Sequence, residues 1–271
     1  MRPLCGAVLV SCGLAVASCA GSERPVESPL EYTEHARKAY DEALVEYFDR
    51  DWEEAVQLFE DIKRRYAYSR YARLAQLRIA DAAYEQDNFA EAATSYRGFI
   101  HDYPNDPEVV YARYKVVKSL FEQRSDSLLL PPLEERDLVT VEETYQAVLS
   151  FIEDYPAYKR RPELDYIHRV VAGLLARHDL YVARYYLRED NFKATTARIE
   201  RAIRTYPDSG LEAEALVLLG ETYLKMHRVG DARTVLERVL RSHPESAFVV
   251  PAKRFLDVLD ARHPRKRGSS S

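Results

Sequence analysis

The chain has 271 residues, 46% of them hydrophobic, with 39 Lys and Arg against 44 Asp and Glu and a net charge of −5. The absence of a strongly basic field excludes nucleic-acid binding as its main role. Its length is ample for a core that needs no disulfide, and its three cysteines, Cys5, Cys12 and Cys19, all fall within the first nineteen residues.

Residues 1–18 read as an export signal, with Arg2 at the start, an acid-free apolar stretch from Leu4 to Val16, and the small residues Ala17 and Ser18. The run Val16-Ala17-Ser18-Cys19 fits a bacterial lipoprotein, whose first mature residue, here Cys19, carries a diacylglyceryl anchor. Several acyl chains on one residue hold a protein firmly to a bilayer. A plain secretory signal with an incidental cysteine is the alternative, and a membrane span is excluded by length and flanks. Cleavage leaves Cys19 as the sole cysteine, so no intramolecular disulfide can form. The covalent lipid on Cys19 is the only attached group expected, with no cofactor. Ala20 stands where Asp would resemble the inner-membrane retention signal of enterobacteria, which points to the outer membrane. Residues 19–30 carry Pro25 and Pro29 without apolar periodicity and read as a flexible tether.

Beyond the tether, Tyr-Pro or a near relative recurs at Tyr66-Ala67, Tyr103-Pro104, Tyr155-Pro156, Tyr206-Pro207 and His243-Pro244. In the fifth unit Gly220, Tyr223, Ala232, Leu236 and Pro244 follow the small-xx-aromatic, small-xxx-apolar, proline pattern, which resembles the tetratricopeptide repeat. Small residues let two antiparallel helices approach, large apolar ones fill the gap, and proline ends the second helix. Ala80, Ala92, Tyr96 and Phe99 repeat the pattern in unit two; Ala43, Ala55, Phe59 and Ile62 in unit one; units three and four are degenerate. The expected fold is all-α, five helix pairs in a right-handed solenoid with a C-terminal capping helix over 248–259. Units one to three span 31–160, units four and five with the cap 161–262, and 263–271 is a frayed basic tail.

Two departures from the period stand out. About fifteen extra residues fall near Ser125 to Thr140, where Leu128-Leu129-Leu130-Pro131-Pro132 reads as a loop that packs against something. In unit four, apolar residues from Leu164 to Tyr185, with only Gly173 as a breaker, predict an unusually long first helix. Most of the twenty tyrosines fall at repeat core positions. Tyr66, Tyr68 and Tyr71 are different: with Arg65 and Arg70 they crowd the turn between units one and two, which has no core place for three rings.

Catalytic patterns are missing. No two of the seven histidines share the i, i+4 spacing of a helical metal site. No phosphate loop or nucleophile elbow occurs, and acid pairs such as Glu53-Glu54 diverge on a helix as a solvated face does. The chain does not read as an enzyme.

The lipobox, the tether and five such repeats together resemble the BamD family, lipoproteins of the outer-membrane barrel assembly machinery. The resemblance covers the whole chain and is carried by residues 58–72, Phe99 to Pro104, Val182 to Tyr186, and Arg198-Ile199-Glu200 before Tyr206-Pro207. Family members usually have proline at Ala67, so the first turn is expected to be looser. The resemblance implies a scaffold on the periplasmic face of the outer membrane. It holds the barrel-forming subunit by that subunit's polypeptide-transport domain and takes part in recognising unfolded outer-membrane proteins, alone or with accessory lipoproteins. It assigns the C-terminal repeats to the barrel subunit, with Arg198 as a salt-bridging contact, and the N-terminal repeats to the client. Aromatics joined to arginine at a repeat junction suit a peptide, so Arg65, Tyr66, Tyr68, Arg70 and Tyr71 are the candidate client-binding residues. Read from its residues alone, Arg198 is an ordinary exposed arginine. Other lipid-anchored repeat proteins, such as a pilotin or a cell-wall coordination factor, and a peptidoglycan-cleaving enzyme are the alternatives.

Overall fold

The computed structural model of the protein describes residues 28–123 and 138–262. Cys19, the leader, most of the tether, the apolar-proline run at 128–132 and the tail lie outside the described residues. Those described form eleven α-helices and no strand. They pair as α1 (Pro29–Asp49) with α2 (Trp52–Arg65), α3 (Arg70–Glu85) with α4 (Phe89–Asp102), α5 (Val109–Glu122) with α6 (Val139–Asp154), α7 (Arg161–Arg188) with α8 (Phe192–Thr205), and α9 (Glu212–Lys225) with α10 (Val229–Ser242). The last helix, α11 (Val249–Arg262), packs on α10 and α9 and closes the array. Each helix packs chiefly on the helices before and after it, as in a repeat protein whose units contact only their neighbours.

The joints between units share one geometry. At each joint an N–H three residues on returns to the carbonyl of the recurring aromatic: Ser69 to Tyr66 at 2.8 Å, Asp106 to Tyr103 at 3.0 Å, Tyr158 to Tyr155 at 3.1 Å, Ser209 to Tyr206 at 3.1 Å and Ser246 to His243 at 3.0 Å. The first of these forms without proline, so Ala67 does not loosen its turn. Ser69 secures it further by accepting the N–H of Ala72 at the start of α3.

Within units the two helices meet at a left-handed residue: Arg50 (φ 66°), Asp87 (φ 60°), Asp190 (φ 53°) and His227 (φ 60°). The next residue's N–H then bonds five residues back, as Asn191 does to the carbonyl of Tyr186 at 2.9 Å, a Schellman-type helix end. None of these positions is glycine, so the usual sequence mark of such a turn is missing. In unit five α9 and α10 come close together at Gly220, where a Cβ would stand 2.7 Å from the Leu236 side chain.

Helix α7 has 28 residues, twice the length of its partner α8. Pro162 sits in its first turn, where no intrahelical N–H is lost. Its inward face runs through Leu164, Ile167, Val171, Leu175, Ala183 and Leu187. Tyr185, counted by the pattern with the apolar residues, is half exposed, and a carboxylate, Asp179, stands in the buried row instead. The core falls into three parts: one over units one and the start of two, one over units two and three, and a longer one from Tyr114 to Leu259.

Candidate functional site

Arg198 is not an ordinary surface arginine. On α8, Arg198 and Arg201 are three residues apart and so face the same way, towards α7. There Arg198 Nη1 donates to Asp179 Oδ1 at 3.0 Å, and Arg201 Nε stands 3.5 Å from Oδ2. The Asp179 side chain is only 2% exposed, whereas the two guanidinium groups are 36% and 41% exposed. A buried carboxylate must be paired: Arg198 hydrogen-bonds it, Arg201 stands at ion-pair distance, and Arg198 has further N–H donors for other acceptors. Arg201 also reaches Glu142 at 3.2 Å and the Tyr206 hydroxyl at 3.4 Å. Partial burial alone would lower the Arg201 pKa, but Asp179, Tyr206 and Glu142 together hold it above its ordinary value. The two arginines, Asp179 and Glu142 line an open cavity of about 260 Å³, together with Leu138, where α6 begins.

Arg198 and Arg201 belong to one site, joined through Asp179. Arg198 also carries a structural load, because reversing its charge places two acids together around a buried oxygen.

The tyrosine cluster is divided by the structure. Tyr71 is 7% exposed and packs into the core of unit one, its ring 5.6 Å from that of Tyr40. Tyr66 is half-buried, edge-on to Tyr32 at 5.3 Å. The idea that the turn has no core place for the rings holds for Tyr68 alone, which is 96% exposed. Arg70 lies over the Tyr71 ring at 4.9 Å and donates to its hydroxyl at 3.1 Å. Arg65 is exposed and pairs loosely with Asp61 at 3.5 Å. The turn therefore presents Tyr68, Arg65 and Arg70 on a platform built by Tyr71 and Tyr66. Arg198 lies two units further along the chain, so the candidate residues form two separate faces.

The sequence reading missed Asp81, the second deeply buried carboxylate of the described residues besides Asp179. On α3, it accepts hydrogen bonds from the hydroxyls of Tyr96 on α4 and Tyr111 on α5, the latter at 2.7 Å, and pairs with Arg78 at 2.9 Å. An acid inside the small-residue run Ala80-Asp81-Ala82-Ala83 was the signal available for it.

Among the described residues no cluster of His, Cys, Asp or Glu is arranged to hold a metal ion, and no helix is long and apolar enough to cross a membrane. Paired helices that fix charged and aromatic side chains along their faces define a helical-repeat scaffold, a class that works by holding other polypeptides. The family YfiO, described as "Outer membrane lipoprotein", matches residues 33–237, and the chain belongs to it. Its relatives include the outer membrane protein assembly factor BamD of Neisseria meningitidis serogroup A, 28% identical over 251 residues that cover 90% of this chain and 92% of that one. The Caulobacter vibrioides protein of the same name is 27% identical and covers 99% of this chain and 86% of its own. Among solved structures the chain is similar to the TPR2AB domain of yeast Sti1, with a TM-score of 0.43 and 11% identity over 84% of each chain. Membership of this family makes the protein a non-enzymatic factor in outer-membrane protein assembly.

Proposed function

We propose that the protein is a lipid-anchored scaffold on the periplasmic face of the outer membrane. In this reading Cys19 carries the anchor, the chain ahead of α1, which starts at Pro29 rather than beyond residue 30, gives reach, units four and five hold the barrel-forming subunit, and units one to three meet unfolded outer-membrane proteins. The observation that carries it is the Asp179–Arg198–Arg201 arrangement. An arginine fixed in advance by a buried carboxylate, as Arg198 is, loses little freedom on binding, and its remaining donors suit a carboxylate on a partner surface. Tyr68 with Arg65 and Arg70 suits the client face for a different reason: an exposed ring beside two cations takes aromatic and polar groups of an extended chain without demanding one sequence.

The test uses the full lipidated chain with a C-terminal tag, recovered from detergent-solubilised membranes. The barrel-forming subunit should co-purify with the wild type and be lost with Arg198→Ala, while Arg204→Ala on the outer side of α8 keeps it. Retention by Arg198→Ala at the wild-type level would remove this face from the contact. For the client face, a photoreactive residue at 68 should trap unfolded barrel proteins in cells more than one at exposed Glu53. Equal capture would remove the face around Tyr68.

A further inference from the structure

A helical solenoid is open at its two ends, and soluble ones finish in helices whose outer faces are polar. Both terminal helices here keep apolar residues on those faces. Among the described residues six exposed large hydrophobics are not tyrosine, and five of them lie on the first and last helices: Leu30, Val45 and Phe48 on α1, Val250 and Val258 on α11. Leu30 and Phe48 are each 73% exposed. They stand five helical turns apart and so share one face of α1, with Val45 beside Phe48 one turn back.

The repeat shows what these faces are. Glu34 and Lys38 lie on the same face of α1, one repeat before Tyr71 and Ala75, as Tyr66 lies one repeat before Tyr103. On α3 those two positions are buried in the core of unit one. No helix precedes α1 among the described residues, so its matching face stays open. At the other end α11 packs on α10 and α9 as α3 packs on α2 and α1. It is placed as the first helix of a sixth unit, and no second helix follows it among the described residues. Val250 stands one repeat after Ala213, which is only 5% exposed on α9.

The two ends also differ in charge. Helix α1 carries six Asp and Glu against Arg37 and Lys38. Helix α11 carries Lys253, Arg254 and Arg262 against Asp257 and Asp260, the last taken up by Arg233 at 2.6 Å. Arg265, Lys266 and Arg267 follow it in the sequence without an acid.

We infer that the open face of α1 docks on the open face of α11 of a second copy of this chain, with Leu30, Val45 and Phe48 packed against Val250 and Val258 and the acidic end set against the basic one. A second copy suits these faces because each supplies what the other lacks, a helix to cover it and the opposite charge. A lipid surface would bury the apolar residues but leave the charge difference between the ends without a role. Such a head-to-tail contact does not close on itself, so it sets copies in a row. One helix on one helix makes a small and therefore weak interface, and anchoring on a shared membrane raises the local concentration that favours it. The inference goes beyond the scaffold reading and does not depend on what the Arg198 face holds.

The test uses the full chain in its own membranes, expressed as two differently tagged copies, one with Phe48→Cys and one with Val258→Cys. A short bismaleimide links cysteines that meet, and wild-type copies, which have only Cys19 after cleavage, give the background. Pairs of unlike tags should exceed pairs of like tags at least about fivefold, as a heterologous contact requires. With both substitutions on one chain, a ladder of trimers and longer species should appear. Lys253→Glu with Arg254→Glu in the Val258→Cys copy should cut the yield about fivefold, and Asp41→Lys with Asp49→Lys in the other copy should restore it. These positions are exposed, and melting curves confirm the fold of each variant. A yield no higher than that of wild type, or of exposed Thr94→Cys paired with Val258→Cys, overturns the inference, as do like pairs as frequent as unlike ones. Links from position 48 to a different protein in place of this chain assign α1 to that protein and overturn it too. Co-purification of the barrel-forming subunit with the same variants reports on the Arg198 face separately, so either reading can fail without the other.

Discussion

Asp81 and Asp179 are both buried carboxylates on first helices of their units, yet they do opposite things. Asp81 is enclosed by groups from α3, α4 and α5: two tyrosine hydroxyls and the mostly buried Arg78. Each tyrosine spends its single O–H on it, so little reaches the surface and the acid ties three helices together. Asp179 is met by two arginines of α8 alone, each more than a third exposed. Arginine has five donors, and a buried acceptor uses only some of them. One carboxylate is consumed in holding units two and three, while the other turns a pair of arginines into a fixed surface feature. The choice of donor decides whether a buried acid builds the fold or presents a contact.

The strongest way to break this contrast is to strand Asp179. Replacing both Arg198 and Arg201 by leucine should cost about 3 kcal/mol in chemical denaturation, because a buried charge is left unpaired. Adding Asp179→Leu to that double variant should recover most of the loss, since a matched apolar set tolerates the burial that a lone charge does not. No recovery would mean that the arginines stabilise through something other than the pair. On the Asp81 side, Tyr96→Phe should cost about 2 kcal/mol and Tyr111→Phe about 1 kcal/mol, because the first hydroxyl is fully buried and the second only partly. Neither substitution should alter binding to the barrel-forming subunit. Reduced binding would join two networks that the structure keeps apart.

Alkaline pH sharpens the comparison more gradually. Burial, and then the charge of Asp81, push the phenols of Tyr96 and Tyr111 well above their ordinary value, and burial raises that of nearby Tyr47 to about 12. A folded-state pKa above the unfolded value, about 10 for tyrosine, gives stability that is complete below pH 10 and is lost as pH rises further. The melting temperature should therefore be flat up to about pH 9 and fall from about pH 10. Tyr206 beside Asp179 is also raised by burial, but Arg201 opposes the shift, and arginine does not titrate in this range. Substituting phenylalanine at both 96 and 111 should flatten the alkaline fall, and an unchanged fall would put its origin elsewhere. The smallest effect is expected at exposed Arg204, where Arg204→Glu should shift stability by less than about 0.5 kcal/mol.

The architecture was legible because repeats advertise themselves: the aromatic-proline joints, the small-residue contacts around Ala80 and Gly220, and the long apolar row of α7 all lie where their spacing put them. The family resemblance was legible as well, through Arg198-Ile199-Glu200 and the Phe99 to Pro104 run. Side-chain partnerships were not. Asp179 lies nineteen residues before Arg198, on another helix, and no local pattern distinguishes an inward acid from a solvated one. Tyr71 looked like a surface ring for the same reason, since its place in the core depends on Tyr40 from a helix two elements earlier. The left-handed turn at Arg50 was hidden because arginine is not one of the residues that favour that conformation.

The central claim is that Asp179 presents Arg198 to the barrel-forming subunit. Its most direct test is a titration of the purified polypeptide-transport domain against Arg198→Ala, Asp179→Asn and Arg204→Glu, each first shown to be folded by its melting curve. The account predicts that Arg198→Ala binds at least about tenfold more weakly, by loss of charge-assisted bonds. Asp179→Asn should fall in between, because the arginine persists but is no longer held, and Arg204→Glu should match the wild type. Wild-type affinity in Arg198→Ala would contradict the account outright, and wild-type affinity in Asp179→Asn would leave the arginine in the contact but deny the buried carboxylate its presenting role.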